Sequence, residues 1–434
     1  METNNIINCQ VAVIGAGMAG MSAAIFAANR GLSTVCVGKA SEISFSSGCL
    51  DLFSRIPGAD RHAFLNPFTG IDALSEVQPD HPYSKVSREE IVQGFEEFTG
   101  FMNRSGIQYH CTPETNQQII TPAGTLKSTW CVPSAMIAGT RALAEKKRIL
   151  IVDIRGLKGF GARQMAQNLK KAHPSMGSVT IGFPGRETAG DLMCERLTWD
   201  LETPDVLSRF IDEIRPHAKD YDAVGLPAIL GIYRFEELKT KMEKALGKTV
   251  FEIPTLAPSV TGMRTKEAFL GQLSGISVRH FPVLVNNLEV DASGGKSSGF
   301  RFEVTEGISV KEVRTQALVL ATGRFLGRGL GVDDTGRIKE ALLNLPVAQT
   351  RDRSGWFQRD FFNKNGHPIN RTGVETDGFF RPLGRDGAVF HPQLYAAGSL
   401  LAHQDWKREK SGSGISIATA YKAVSHVAES LGSD

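Results

Sequence analysis

Apolar positions in this chain fall into short runs separated by glycine-rich and polar stretches. Val11 to Ile14 is a continuous apolar run of buried-strand length, and it leads straight into Gly15-Ala16-Gly17-Met18-Ala19-Gly20. Met18 to Asn29 is alanine-rich, which predicts a helix, and Gly31 suits its C-terminal stop. Thr34 to Val37 repeats the strand pattern. Strand, glycine loop, helix and strand within roughly 30 residues is the size of a βαβ unit.

Beyond Ser41, a polar stretch with Gly48, Pro57, Gly58, Pro67 and Gly70 reads mostly as loop. Helical spacing returns over Arg88–Met102, Pro122 to Gly124 marks a turn, and Thr129–Val132 reads as a strand. From Arg148 the pattern alternates. Strands are predicted at Arg148–Asp153, Val179–Phe183, Tyr221–Gly225 and Thr249–Ile253. Helices are predicted at Ala162–Ala172, Pro204–Ile214, Phe235–Leu246 and Lys266–Leu273, as an α/β domain requires. Pro282–Val285, Leu288–Val290 and Gly299–Val304 then read as a meander, and Ala317–Gly323 as a buried strand ending in a turn. Gln393–Gly398 is a last strand and Gly414–Leu431 a last helix. Its stripe Ile417, Tyr421, Val424, Ala428 and Leu431 reads most simply as a core face, the alternative being a partner or membrane surface, which the scarcity of Lys and Arg on the opposite face disfavours. The fold class is therefore α/β: a Rossmann-like domain with βαβ at its N-terminus, formed by 1–148 and 281–434, with an α/β domain inserted at 149–280.

Composition narrows the function classes. The 49 basic and 46 acidic residues of the 434 leave a net charge of +3 without a long basic run, which argues against nucleic acid as a partner. None of the six cysteines (Cys9, Cys36, Cys49, Cys111, Cys131, Cys194) stands in a C-x-x-C pair, so local zinc and iron–sulfur patterns are absent and no metal is expected. They read as reduced thiols of a cytoplasmic protein. Met1 to Asn5 lacks the basic start of a signal peptide. The most apolar stretch, Ala223–Tyr233, falls short of the ~18 residues of a membrane span. The chain is expected to be soluble, with any membrane contact peripheral or through a partner.

Gly15, Gly17 and Gly20 answer three separate needs: a tight turn, close approach of backbone to a phosphate, and close helix–strand contact. A phosphate there meets free N–H groups and the positive end of the helix dipole. G-x-G-x-x-G alone is a weak signal, but between an apolar strand and an alanine-rich helix it points to a dinucleotide or flavin rather than a structural turn. An acid that would bind adenosine ribose is missing where the second strand ends, Val37-Gly38-Lys39, with Glu42 three residues late. Lys39 is either a phosphate partner or a solvated loop residue, and the gap leaves room for FMN. Leu318 to Gly323, with Thr322 and Gly323, and Leu394 to Ser399, with Gly398 and Ser399, support a flavin rather than NAD, though each alone fits an ordinary core strand with a glycine turn. Ser411 to Gly414, with Gly412 and Gly414, opens the last helix, whose N-terminus can face the flavin pyrimidine or be a plain serine-capped start.

Several strings carry a family resemblance: Ile43 to Leu52, His81-Pro82-Tyr83-Ser84, Thr121 to Trp130, Pro254 to Ser259, and Gly373 to Asp377 with Arg381-Pro382. On these the chain resembles the B subunits of anaerobic glycerol-3-phosphate dehydrogenase over nearly its whole length. The segment Ala402 to Lys410 is less glycine-rich than in that family. The resemblance implies a flavoprotein, usually assigned FMN with FAD as the alternative. It also implies a catalytic A subunit and a membrane-anchored iron–sulfur C subunit as partners, at the cytoplasmic face of the inner membrane. Together they oxidise sn-glycerol 3-phosphate to dihydroxyacetone phosphate and pass electrons to quinone.

Such chemistry moves hydride from a carbinol carbon to flavin N5 while a base takes the hydroxyl proton. A phosphate substrate favours arginine, which offers Arg264, Arg279, Arg324, Arg351 and Arg381. His81 and His403 titrate in the right range, yet each reads more simply as a structural histidine. Ser46, Ser47 and Gly48 form a small-residue loop able to approach the ring, or an ordinary turn. Two other functions stay open: a flavin relay or scaffold without its own substrate site, and a stand-alone flavin oxidoreductase acting on another small acid.

Overall fold

The computed structural model describes residues 6–58, 63–187, 190–285, 287–291 and 299–432. Met1 to Asn5, read above for a leader, lies outside them. Two compact units divide the chain: residues 1–42, 51–101 and 269–434 form one, and residues 43–50 and 102–268 the other.

In the first unit, β1 (Ile6–Ile14) lies between two parallel neighbours, β2 (Thr34–Val37) and the strand Ser309–Leu320. All three have apolar ends buried on both faces, as an internal parallel strand requires. Val278–Phe281 extends the sheet beyond β2, while Gly299–Glu306 and Leu288–Asp291 continue it antiparallel beyond Ser309–Leu320. Leu394–Ala396 takes up parallel pairing with the C-terminal end of Ser309–Leu320, where the meander strand has stopped. The helix α1 (Met18–Asn29) is buried along nine successive residues, Ala19 to Ala27. It packs on the terminal helix Gly412–Gly432, where Phe26 meets Tyr421 edge-on at 5.4 Å. Gly31 ends α1 at φ +74°, and the Leu32 N–H returns to the Ala27 carbonyl.

The second unit holds a four-stranded parallel sheet in the order Thr249–Ile253, Ala223–Pro227, Ile149–Ile154, Met176–Ile181. Ile151, Val152, Phe210, Phe251 and Met242 are central in its core. Two short hairpins, Tyr109–Cys111 with Cys131–Pro133 and Gln117–Ile120 with Leu126–Thr129, belong to the same unit.

Several sequence expectations change. Helix Ser134–Ala144 has no counterpart among the predicted elements, and it packs so closely on the second unit's sheet that a Cβ at Gly139 would lie 2.3 Å from the Phe251 ring. That packing explains why the unit begins near 102 rather than at 149. It stops at 268 rather than 280 because Val278–Phe281 pairs with β2. Pro282–Val285 is irregular, not a strand. Cys111 and Cys131, expected as thiols, are bonded as a disulfide, since the strand register sets them opposite each other at a Cα separation of 4.1 Å. Pro67–Val77, expected as loop, is a helix: Pro67 stands at its first position and Asn66 caps it, accepting from the Phe68 and Thr69 N–H groups.

That cap is separable from the core. Asn66→Ala should lower the unfolding free energy by about 1 kcal/mol, seen as a shift in urea midpoint with an unchanged slope.

Candidate functional site

At the C-terminal edge of the first unit's parallel strands, successive loops are stitched together by main-chain bonds. The Gly15 N–H donates to the Val37 carbonyl (2.7 Å), Ala321 N–H to Ile14 (2.8 Å) and Ala397 N–H to Leu320 (2.9 Å). Gly15 turns at φ +114°, and a Cβ there would lie 2.1 Å from the Ala321 carbonyl oxygen. At Gly20 a Cβ would lie 1.7 Å from the Gly15 carbonyl oxygen, so the start of α1 rests directly on the loop. Gly17 is different. Nothing lies within 4 Å of its Cβ position, and no acceptor for the N–H groups of Gly17, Met18, Ala19 or Gly20 is found among the described residues. Open space above unpaired amides and a positive dipole end suits an anion.

The flanking loops add to this edge. Thr322 follows the strand Ser309–Leu320, and its hydroxyl is buried without a partner among the described residues. Gly323 turns at φ +69° with its Cβ position 3.6 Å from Ser399 Oγ, and Gly398 turns at φ +74° with its N–H on Thr419 Oγ1 (2.9 Å). The Thr322 hydroxyl lies 2.4 Å from the Cβ position of Gly329, so that glycine leaves it its room. Lys39 is exposed. Glu42 is half-buried, no hydrogen bond reaches it from the described residues, and burial holds its carboxyl above the usual range. Glu42 Oε1 lies 3.4 Å from the Cβ position of Gly327, whose own close neighbour is the Thr322 carbonyl oxygen.

The terminal helix starts within a buried polar network. Gly414 N–H donates to the Asp51 carbonyl (2.8 Å), and Asp51 N–H donates to Ser413 Oγ (2.7 Å). Gly414 has no room for a side chain, its Cβ position being 2.1 Å from the Tyr83 hydroxyl. Gly412 packs on the Trp406 ring. His81 is fully buried. Its Nδ1 accepts the Tyr83 N–H (3.1 Å), which leaves Nε2 as the donor to Glu409 Oε2 at 3.3 Å. Glu409 also accepts from the Asp405 N–H (2.6 Å) and Ser411 Oγ (2.8 Å). Burial pushes the Glu409 carboxyl up, but the His81 imidazole and these donors outweigh it, leaving it below the usual range. Arg324 places its guanidinium on the carbonyls of Ser399, Asn370 and Gln404. Burial brings it down to about 10, against the opposing charges of Asp405 and Glu409.

The candidates named from sequence are thus mostly committed elsewhere. Arg264 lies in the second unit, paired through both terminal nitrogens with Glu252 (2.5 and 2.9 Å) and through Nε with the Gly231 carbonyl. Arg381 pairs with Asp377 at 2.7 Å, Arg279 is exposed beside Glu306, and Arg351 is exposed. His403 meets Glu375 at 3.1 Å. Ser46, Ser47 and Gly48 also belong to the second unit. There Ser46 carbonyl accepts Ser259 Oγ, Ser47 Oγ lies 3.4 Å from Lys127 Nζ, and Gly48 turns at φ +78° against Thr261. The Ser46 hydroxyl is buried without a partner among the described residues. Among the described residues, no group of three or more His, Cys, Asp and Glu is placed to hold a metal ion.

Comparison with known proteins adds an independent line. Residues 10–415 match the family model described as FAD binding domain. A protein of Vibrio vulnificus (strain YJ016), named as the B subunit of anaerobic glycerol-3-phosphate dehydrogenase, is 31% identical over 433 residues, covering 96% of each chain. One from Halobacterium salinarum (strain ATCC 29341 / DSM 671 / R1), named as a probable B subunit of the same dehydrogenase, is 30% identical over 98% of this chain and 99% of its own. Among solved structures, the 3-ketosteroid Δ1-dehydrogenase of Sterolibacterium denitrificans is matched over 99% of this chain and 100% of its own, at 11% identity and a TM-score of 0.43.

Two outcomes follow from this geometry. Gly20→Ala should cost about 1–3 kcal/mol in urea unfolding, because the loop backbone must yield to the added methyl. Glu409 contributes stability that is complete above the ordinary glutamate value of 4.5 and is lost as pH falls through its lowered folded value. Urea unfolding from neutral into acid pH should therefore show a steeper loss in the wild type than in Glu409→Gln; equal slopes would contradict the pairing.

Proposed function

The chain belongs to the family of B subunits of anaerobic glycerol-3-phosphate dehydrogenase, and from that membership we propose that it carries the flavin of a complex oxidising sn-glycerol 3-phosphate to dihydroxyacetone phosphate. In this reading, electrons pass through a membrane-anchored iron–sulfur C subunit to quinone, with a catalytic A subunit completing the assembly. The chain docks at the cytoplasmic face of the inner membrane through those partners. No helix among the described residues is long and apolar enough to cross a membrane by itself.

One observation carries the flavin assignment: the N–H groups of Gly17 to Gly20 at the start of α1 have no acceptor among the described residues, and the Gly17 Cβ position opens onto free space. When bound, a flavin supplies the hydride-accepting and electron-carrying chemistry that side chains lack. The chain's own residues bind and orient. The loop amides take the phosphate, Thr322, Gly323, Gly398 and Ser399 border it, and Gly412 and Ser413 leave N–H groups at the terminal helix start to favour negative charge.

The proposed flavin is FAD rather than FMN. The family model that matches describes an FAD binding domain over 10–415. Glu42 supports it, because a half-buried carboxyl with no described partner can accept the ribose hydroxyls that Lys39 cannot. Heat release followed by mass analysis should yield FAD, and Glu42→Ala should weaken FAD binding roughly tenfold, about 1.4 kcal/mol, while leaving FMN binding unchanged. Recovery of FMN alone would reverse this choice.

The relay reading is favoured over an independent substrate site by a specific observation. His81 and Arg264, the buried candidates for base and phosphate clamp, are held by Glu409 and Glu252 and offer no free group. Under anaerobic conditions, glycerol 3-phosphate should bleach the flavin of the isolated chain slowly or not at all, and bleach it readily once the A subunit is added. Full-rate bleaching without the A subunit would assign the chain a substrate site of its own.

A further inference from the structure

One loop of the first unit keeps large apolar side chains in water. Between the short turns Arg353–Gly355 and Pro368–Arg371, the fold leaves three phenylalanines uncovered: Phe357 is 62% exposed, Phe361 74% and Phe362 85%. They form one group. Phe361 and Phe362 meet edge-on at 5.0 Å, and Phe357 and Phe361 lie 5.6 and 6.2 Å from the same His367 ring. The loop that presents them is held from beneath by buried Trp356 and His367. The Trp356 carbonyl accepts the Ile369 N–H (3.1 Å). His367 Nδ1 accepts the Gln358 N–H (3.0 Å), which leaves Nε2 to donate to the Phe361 carbonyl (3.1 Å). Rings gathered on an ordered loop differ from singly scattered exposed residues, and such patches mark contact with a protein or a membrane.

Charge decides between those two. Arg351, Arg353, Arg359 and Lys364 are all exposed, and their side chains make no hydrogen bond or ion pair to the described residues. Arg353 lies over the Trp356 ring at 5.5 Å. Against these four cations, residues 351–367 hold two acids, both engaged by backbone. Asp352 Oδ1 accepts the Ser354 N–H (2.9 Å), and Asp360 Oδ1 accepts the Phe362 N–H (3.0 Å). Phenylalanine carries no polar tip that would demand a fixed acceptor, and a ring 85% exposed projects from the surface. A protein partner would have to offer matching pockets and carboxylates at set positions. A bilayer offers apolar depth and anionic headgroups everywhere on its surface, and aromatic rings among unpaired cations have the make-up of an interfacial anchor.

We propose that this loop is a lipid-contact site: the three phenylalanines enter the headgroup layer of an anionic bilayer while the four cations pair with lipid phosphates. The chain makes this contact itself, in addition to any made through partners, and the proposal does not rest on the dehydrogenase reading. Cosedimentation of the full chain, without other subunits, with vesicles of phosphatidylglycerol and phosphatidylcholine tests it. Binding should be at least about tenfold tighter to the mixed vesicles than to pure phosphatidylcholine, and should fall as salt is raised from about 0.1 to 1 M. The double variant Phe361→Ser with Phe362→Ser should bind the mixed vesicles at least about tenfold more weakly, and Arg359→Gln with Lys364→Gln by a similar factor, at unchanged far-UV circular dichroism. Should the phenylalanine pair fail to fold, Phe362→Ser alone decides, at the most exposed of the three rings. No binding to anionic vesicles would overturn the proposal, and would give the loop to a protein partner if the same variant then failed to assemble with the A subunit. Binding undiminished in the folded variants would overturn it as well.

Discussion

Everything at the ligand edge depends on how closely the start of α1 sits on the end of β1. The Gly20 position touches the Gly15 carbonyl, and the Gly15 position touches the carbonyl of Ala321 on the neighbouring strand. Three main-chain segments thus meet with no side chain between them, so the first amides of α1 are fixed in direction and left unpaired. Their dipoles are arranged before any anion arrives and need no reorganisation when it does. Gly17 alone of the three is free of contact, which makes it the place where space was kept open rather than filled.

A second constraint holds the start of the terminal helix. That helix begins among buried polar groups: Glu409 gathers His81, Ser411 and the Asp405 amide, while the partly buried Arg324 donates to three carbonyls. Satisfied buried networks of this kind fix one geometry, since any alternative leaves a desolvated charge unpaired. Histidine and arginine there act as scaffolding for the helix start rather than as reagents. That division agrees with a subunit that holds and orients a redox group while another protein handles the substrate.

Much of the fold was legible because its signals are local. The glycine loop, α1 and β2 sit in one unbroken stretch, and helices Pro204–Ile214 and Phe235–Leu246 and strand Thr249–Ile253 lie where their periodicity put them. Elements defined by distant partners were not legible. Val278–Phe281 is a strand because Thr34–Val37 stands beside it, and its residues Val-Arg-His-Phe carry no clear pattern. Asn66-Pro67 reads equally as a turn and as a capped helix start, and only the packing of Phe68, Ile71 and Leu74 decides. The disulfide followed from strand register, not from spacing. His81 and Glu409 are 328 positions apart, so no sequence window could pair them; the glycines of the ligand edge were readable because backbone geometry demands that residue type.

The central claim is that the first amides of α1 hold the flavin phosphate, and Gly17→Asp tests it most directly. Gly17 has extended backbone at φ −76°, an N-cap position that aspartate favours, and open space for a side chain, so the apo chain should be as stable as the wild type or more so. The added carboxylate would occupy the phosphate's place and its charge. Fluorescence titration with flavin should show affinity reduced at least about a hundredfold, some 2.7 kcal/mol, at unchanged apo stability. Wild-type flavin affinity in that variant would contradict the account.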